Sequence, residues 1–152
     1  MLPYYYYILG MDLDILNTSL IALLVLQLLL ICYSDIRHRV ISNKLIITIA
    51  INTLALGFAK YHTVNIAIPL FALLTGYIIF HFKLIGGGDV KLITVLLFAI
   101  TAGQSLDFIL YTAIMGGVVM IIGMLINRAD IQQRGVPYAA AITSGFLLSL
   151  FT

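Results

Sequence analysis

Charge is what this sequence has least of: Asp, Glu, Lys and Arg together make up 9% of 152 residues, against 62% hydrophobic residues and a mean hydropathy of +1.14. That balance excludes a soluble globular domain and marks an integral membrane protein. A single cysteine, Cys32, excludes an intrachain disulfide and a Cys-based zinc site. A net charge of +2, with no basic stripe interleaved with aromatics, excludes a nucleic-acid-binding surface. No Pro/Ser-rich linker, low-complexity tract or repeat divides the chain, so one membrane domain over residues 1–152 is expected. The first apolar run also lacks the marks of a cleavable signal peptide. No Lys or Arg precedes it, and "SDIRHR" stands where a small-residue cleavage site belongs, so it is expected to stay as a membrane helix.

What the sequence does have is a series of apolar runs, roughly 15–34, 45–59, 64–82, 90–102, 108–126 and 136–151. The first, third and fifth approach the roughly 20 residues that cross a hydrocarbon core; the others are shorter and rely on flanking residues or a thinned bilayer. The expected fold is all-α, a polytopic bundle of about six transmembrane helices. Arg37, Arg39 and Lys44 lie in the first connection, Lys83 and Lys91 flank the third, and Arg128 and Arg134 lie in the fifth, which leaves only Lys60 on the opposite side. The positive-inside rule then makes those three connections cytoplasmic and puts both termini outside, with Tyr4–Tyr7 at the outer headgroup layer.

In that topology the acids fall into two groups. Asp12, Asp14 and Asp107 lie on the outer side and Asp130 lies in the polar stretch "NRADIQQRG"; solvated loop residues or caps account for all four. Asp35 closes the first span and Asp89 opens the fourth, so both reach the cytoplasmic edge at one depth. Asp89 has a structural reading as the N-cap of "VKLITVLLFAI". Asp35, at a helix C-terminus, faces the negative end of the dipole and finds no free N–H there. Either Arg37 and Arg39 compensate it, or its place is functional. The two dipoles favour an ionised Asp89 and a protonated Asp35, with Arg37 opposing that order.

Gly86, Gly87 and Gly88 stand directly before Asp89. Without a Cβ they are free to take positive φ and to admit another chain closely, as an extended peptide beside a catalytic carboxylate requires. Two carboxylates beside accessible backbone equip an aspartyl protease: one deprotonates water and the other, protonated, polarises the scissile carbonyl. Such chemistry needs no Ser or Cys nucleophile, no metal and no cofactor. Lys91 is placed either to tune Asp89 or touch substrate, or simply to snorkel toward the headgroups. His38, His62 and His81 show no metal-ligand spacing. Pro69 and Pro137 kink or start spans, and Ala141, Gly145 and Ser149 form a small-residue packing face on the last one.

"SDIRHRVISNKL" followed later by "GGGDVKLI" resembles the type IV prepilin peptidases, membrane aspartyl proteases of the Gly-x-Gly-Asp class. The resemblance implies that Asp35 and Asp89 are the catalytic acids. Asn43 ends the first motif; Gly86, Gly87, Gly88 and Lys91 belong to the active-site loop around the second. The late "GVPYAAAIT" is similar to the family's last membrane segment. The implied protein is a multi-pass enzyme of the cytoplasmic (inner) membrane that removes the leader of a prepilin at the cytoplasmic face. Its implied partners are the prepilin, membrane lipid and pilus-assembly proteins. Ile41-Ser42-Asn43 stands where the family has Ile-Pro-Asn. The cysteine-rich and methyltransferase portions of the bifunctional members are missing, so the small size resembles the compact tight-adherence (Flp-type) peptidases. The alternative is a small ion- or proton-coupled transporter or channel subunit using Asp35 and Asp89, but such sites lie near the bilayer midplane, whereas both acids flank the spans.

Overall fold

The structure is a computed structural model that describes the backbone of residues 2–152 and the side chains of residues 13–152 apart from Asp130. The expectations for the side chains of Tyr4–Tyr7, Asp12 and Asp130 lie outside the described residues. The described chain is all-α and of membrane type: α1 Leu2–His38, α2 Asn43–Tyr61, α3 Ala67–His81, α4 Gly87–Leu96 running into a 3-10 turn at Leu97–Ala99, α5 Ala102–Arg134, and α6 Tyr138–Ser149. Leu13–His38, Asn43–Tyr61 and Ala102–Ala129 are long and apolar enough to cross a membrane, while α3 and α6 are shorter apolar helices.

Helix ends follow from local chemistry. α1 runs a turn beyond the apolar stretch and stops at Arg39, whose φ of 55° is left-handed; its N–H closes on Asp35 O at 2.9 Å. Ser34 Oγ donates to Val40 O across the same turn at 2.8 Å. His62 ends α2 in the same way, with φ 54° and its N–H on Phe58 O. Ser42, at the N-cap of α2, has φ −67°, the angle that a proline ring imposes. A proline in the place of Ser42 would need no change of φ. α5 breaks at Asn127, with φ −151° and ψ 81°, so its polar end, residues 128–134, leaves at a new angle.

α4 lies at the middle of the bundle, touching α2, α3 and α6. At 1.5 Å per residue its ten residues rise about 15 Å, half of a hydrocarbon core of about 30 Å. It is apolar because protein surrounds it: Val90, Leu92, Thr94, Val95 and Leu96 are all buried. The same core takes in Leu24, Leu28 and Ile31 of α1, Ile49 and Leu56 of α2, and Ile142 and Phe146 of α6. Phe146 meets Phe108 of α5 edge to face, with centroids 5.7 Å apart. Between α1 and α2 the buried Asn52 donates to Gln27 Oε1 at 3.0 Å, a polar tie where water is scarce.

Connections gather at opposite ends. Lys91 Nζ donates to Asn43 Oδ1 at 3.0 Å, and Asp89 shares a cleft with Lys83 and Gly135, so the first, third and fifth connections meet at one end. At the other, Tyr61 OH donates to Gln104 Oε1 at 3.2 Å, joining the end of α2 to the start of α5. Seven of the eight Lys and Arg residues belong to the first group of connections or their flanks, and Lys60 to the second.

α6 presents Ala141, Gly145 and Ser149 as a fully buried face, and α5 packs along it. A Cβ on Gly145 would stand 2.6 Å from the Thr112 backbone nitrogen, where neither side can yield without parting the helices. Gly145→Ala is therefore expected to lower stability by about 1–3 kcal/mol. Gly117→Ala on α5, where nothing lies within 4 Å of the new methyl, is expected to be neutral or to stabilise by up to about 1 kcal/mol. Unfolding in mixed detergent micelles, followed by far-ultraviolet circular dichroism, checks both; equal effects at the two glycines would refute the close α5–α6 contact.

Candidate active site

Asp35 sits in the last turn of α1, only 8% exposed, in a place where its own helix offers no donor. It turns instead to another helix: Oδ2 accepts the Ala139 N–H at 3.0 Å. α6 begins behind Pro137, which supplies no side-chain cap, and Ala139 is its second residue. Asp35 thus does from 104 positions away what an N-cap Asp does locally, and it faces a positive dipole end. The expectation that it finds no free N–H fails for this reason: the free N–H groups belong to α6. One turn back along α1, Cys32 Sγ donates to Thr143 Oγ1 at 3.2 Å, keeping α1 and α6 in step.

Asp89 is half-buried and is the third residue of α4 rather than its N-cap, because the helix already starts at Gly87 with Gly86 as cap. Each of the three glycines before it has a close neighbour. A Cβ on Gly86 would stand 2.7 Å from Asp89 Oδ2; on Gly87, 3.3 Å from the Phe80 ring; on Gly88, 2.9 Å from Ile41 Cβ. Close approach, not backbone conformation, is what this row supplies. Gly135 is the one described glycine with positive φ, and Gly86 has an ordinary extended φ of −73°. Gly88 lets the connection before α2 lie directly on the start of α4, and the Lys91–Asn43 hydrogen bond holds the same junction from outside.

The two acids meet electrostatically. The Asp89 carboxyl is raised to about 6, by burial first and by the Asp35 charge second, against a hydrogen bond from the Gly86 backbone that lowers it. The dipole at the start of α4 favours an ionised Asp89, whereas burial and the neighbouring charge act the other way and raise its carboxyl. Asp89 lines a cleft of about 980 Å³ whose walls are the end of α3 (Phe80, His81), the loop before α4 (Lys83, Leu84) and the approach to α6 (Val136, Tyr138). Asp35 lies behind that wall, on the residue after Tyr138. Among the described residues no three His, Cys, Asp or Glu side chains are grouped to hold a metal ion.

The structure therefore brings Asp35, Asp89, Gly86, Gly87, Gly88, Lys91 and Asn43 to one end of the bundle, with Lys91 and Asn43 bonded to each other beside the cleft rather than lining it. Phe80, Tyr138 and the Ala139 N–H were not picked out by sequence reasoning. For Ala139 a signal existed: a helix that opens behind Pro137 with no Ser, Thr, Asp or Asn cap must find its acceptor elsewhere.

The model of the type IV leader peptidase family matches residues 22–121, a stretch from the middle of α1 to the middle of α5 that contains both acids and stops before α6. No curated protein and no solved structure matches the chain.

Because the Asp35 charge helps to hold the proton on Asp89, Asp35→Asn is expected to move the Asp89 titration downward from its midpoint at about 6. Infrared difference spectroscopy of the carboxyl stretch, on protein with isotope-labelled aspartate in detergent, reads that midpoint. An unchanged midpoint in the variant would mean that the two carboxyls do not sense each other.

Proposed function

The chain belongs to the type IV leader peptidase family, and from that premise we propose that it is an aspartic endopeptidase whose dyad is Asp35 and Asp89. The observation that carries this is the raised carboxyl of Asp89 beside the charge of Asp35 at the wall of a large cleft. In the proposed mechanism Asp35, held in place by the Ala139 N–H, is the base that takes a proton from water as the oxygen attacks the scissile carbonyl. Protonated Asp89 hydrogen-bonds the carbonyl oxygen and bears the charge that develops there. Collapse of the tetrahedral intermediate expels the amine, which takes up the proton that Asp35 holds. A new carboxylate and a new amino terminus result. A carboxyl raised by its surroundings beside a second carboxyl is the pattern this division of labour needs.

The substrate we infer is a prepilin of the Flp type, with a short basic leader joined to an apolar helix. The site is at the polar edge of the bundle, matching a scissile bond just outside the bilayer. The concentration of Lys and Arg at that end supports a cytoplasmic orientation in the inner membrane, with about six spans and both termini outside. Only residues 39–42 separate α1 from α2, which leaves no room there for a methyltransferase region, so cleavage without methylation is proposed.

Asp35→Asn and Asp89→Asn are each expected to lower cleavage of a coexpressed pilin precursor by about 10²–10⁴-fold, with the double variant no worse than the poorer single one. Mass and N-terminal sequence of the pilin give the readout, and the wild-type product carries an unmethylated amine. Substantial cleavage by either single variant would sink the dyad.

Orientation is tested separately. A phosphatase fused after Thr152 is expected to be active and a fluorescent protein inserted near Ala129 to report from the cytoplasm; an inactive phosphatase at Thr152 would overturn the orientation.

A further inference from the structure

Beside the cleft runs a smaller groove of about 250 Å³ on the outer face of the α3–α4 pair, lined by Leu73, Tyr77, Phe80, Gly87, Val90 and Lys91. Leu73, Tyr77 and Phe80 follow at i, i+4 and i+7 and so share one face of α3; all three are exposed. The floor of the groove is tight, because a Cβ on Gly76 would stand 2.6 Å from Val90 Cγ1, so the two helices meet with no gap between them. Phe80 lines both this groove and the cleft that holds Asp89, and its ring rests against Gly87. Gly87 is on the groove side of that ring and Gly86 on the cleft side. A continuous track therefore leads from the apolar flank of α3, past Phe80 and the glycine row, to the carboxyl of Asp89. The groove between α1, α5 and α6, lined by Ile36, Val119, Ile126 and Ala140 among others, shares no lining residue with the cleft.

Resting on the peptidase reading above, we propose that the α3–α4 groove is where the apolar helix of the precursor docks, with Phe80 on Gly87 marking the point at which that helix gives way to extended chain entering the cleft. The occupant follows from the two ends of the track. One end is an apolar furrow open to lipid, which suits the side chains of a membrane helix. The other is a polar cleft with a carboxyl, which suits a peptide bond. A precursor with its cut beside an apolar helix has both parts in that order. Tyr77 and Phe80 are then specificity residues and Leu73 a contact deeper in the bilayer.

The probe is a synthetic precursor with a Lys/Arg-containing leader followed by about 20 apolar residues, together with a truncated form that ends shortly after the scissile bond. A photoreactive phenylalanine analogue at position 77, in the Asp35→Asn background, is expected to crosslink the apolar segment of the long precursor. The same analogue at position 71, on the opposite face of α3, is expected not to. Leu73→Trp, which fills the groove, is expected to raise KM for the long precursor by about 10-fold more than for the truncated one, whereas Phe71→Trp leaves both unchanged. The crosslink supports the proposal even if Leu73→Trp fails to fold. Crosslinking at position 71 equal to that at 77, a product of twice the mass of this chain, or lipid as the sole adduct would overturn it. If the wild type cuts the truncated precursor but no crosslink forms at 77, the groove assignment alone falls; if it cuts neither precursor, the peptidase reading falls and takes the groove with it.

Discussion

A carboxylate at the end of α1 stands in for the cap that α6 lacks, and the shape of the site depends on that contact. The first N–H groups of a helix must find acceptors, and in an apolar bundle each one left bare costs several kcal/mol. Pro137 removes one donor and supplies no acceptor, so Asp35 Oδ2 takes up the Ala139 N–H. The bond satisfies a helix-start N–H and a carboxyl oxygen that are both buried, Asp35 being 8% exposed. It also fixes the geometry, since α1 has to run on through Asp35 to His38 and α6 has to begin beside it. Every part of the cleft formed by the approach to α6 inherits its position from this pairing.

The second acid gains its different character from its surroundings rather than its type. Asp35 has a backbone donor from a helix start; Asp89, with less help from Gly86, is raised by burial and by the neighbouring charge. Packing produces the asymmetry: Gly88 lets Ile41 come down onto α4 and Gly87 lets Phe80 do the same, so the first turn of α4 is shielded where a side chain at either position would hold those neighbours off. The glycine row shapes the pocket around Asp89 as much as it opens a path to it. It is also where the cleft and the α3–α4 groove meet.

Membrane physics accounts for where these features lie. α4 is too short to cross a bilayer on its own and is held in the bundle by α2, α3 and α6, with its later residues Leu92 and Thr94–Leu96 buried against them. Its N-terminus then emerges at the end of the bundle where the first, third and fifth connections gather with seven of the eight basic residues. Charged groups are cheapest at that boundary, and Asp89 there opens onto the cleft.

Composition and unbroken apolar runs determined that this is a helical membrane protein: a chain with 62% hydrophobic and 9% charged residues must satisfy its backbone within lipid, and continuous apolar runs do so as helices rather than as the alternating strands of a barrel. Periodic charge and motif spacing were enough to single out Asp35 and Asp89 and the face of Ala141, Gly145 and Ser149. These are local properties, readable from side-chain type and helical spacing. Contacts across the bundle were not readable, since nothing in the neighbourhood of Asp35 names Ala139 as its donor and nothing beside Gly88 names Ile41 as its neighbour. The same limit applies to acidity. Helix dipoles read from sequence position favour an ionised Asp89, whereas burial and the partner charge raise its carboxyl to about 6. Tertiary structure decides that shift because a carboxyl responds to everything packed within a few ångströms of it, and chain order does not record that distance.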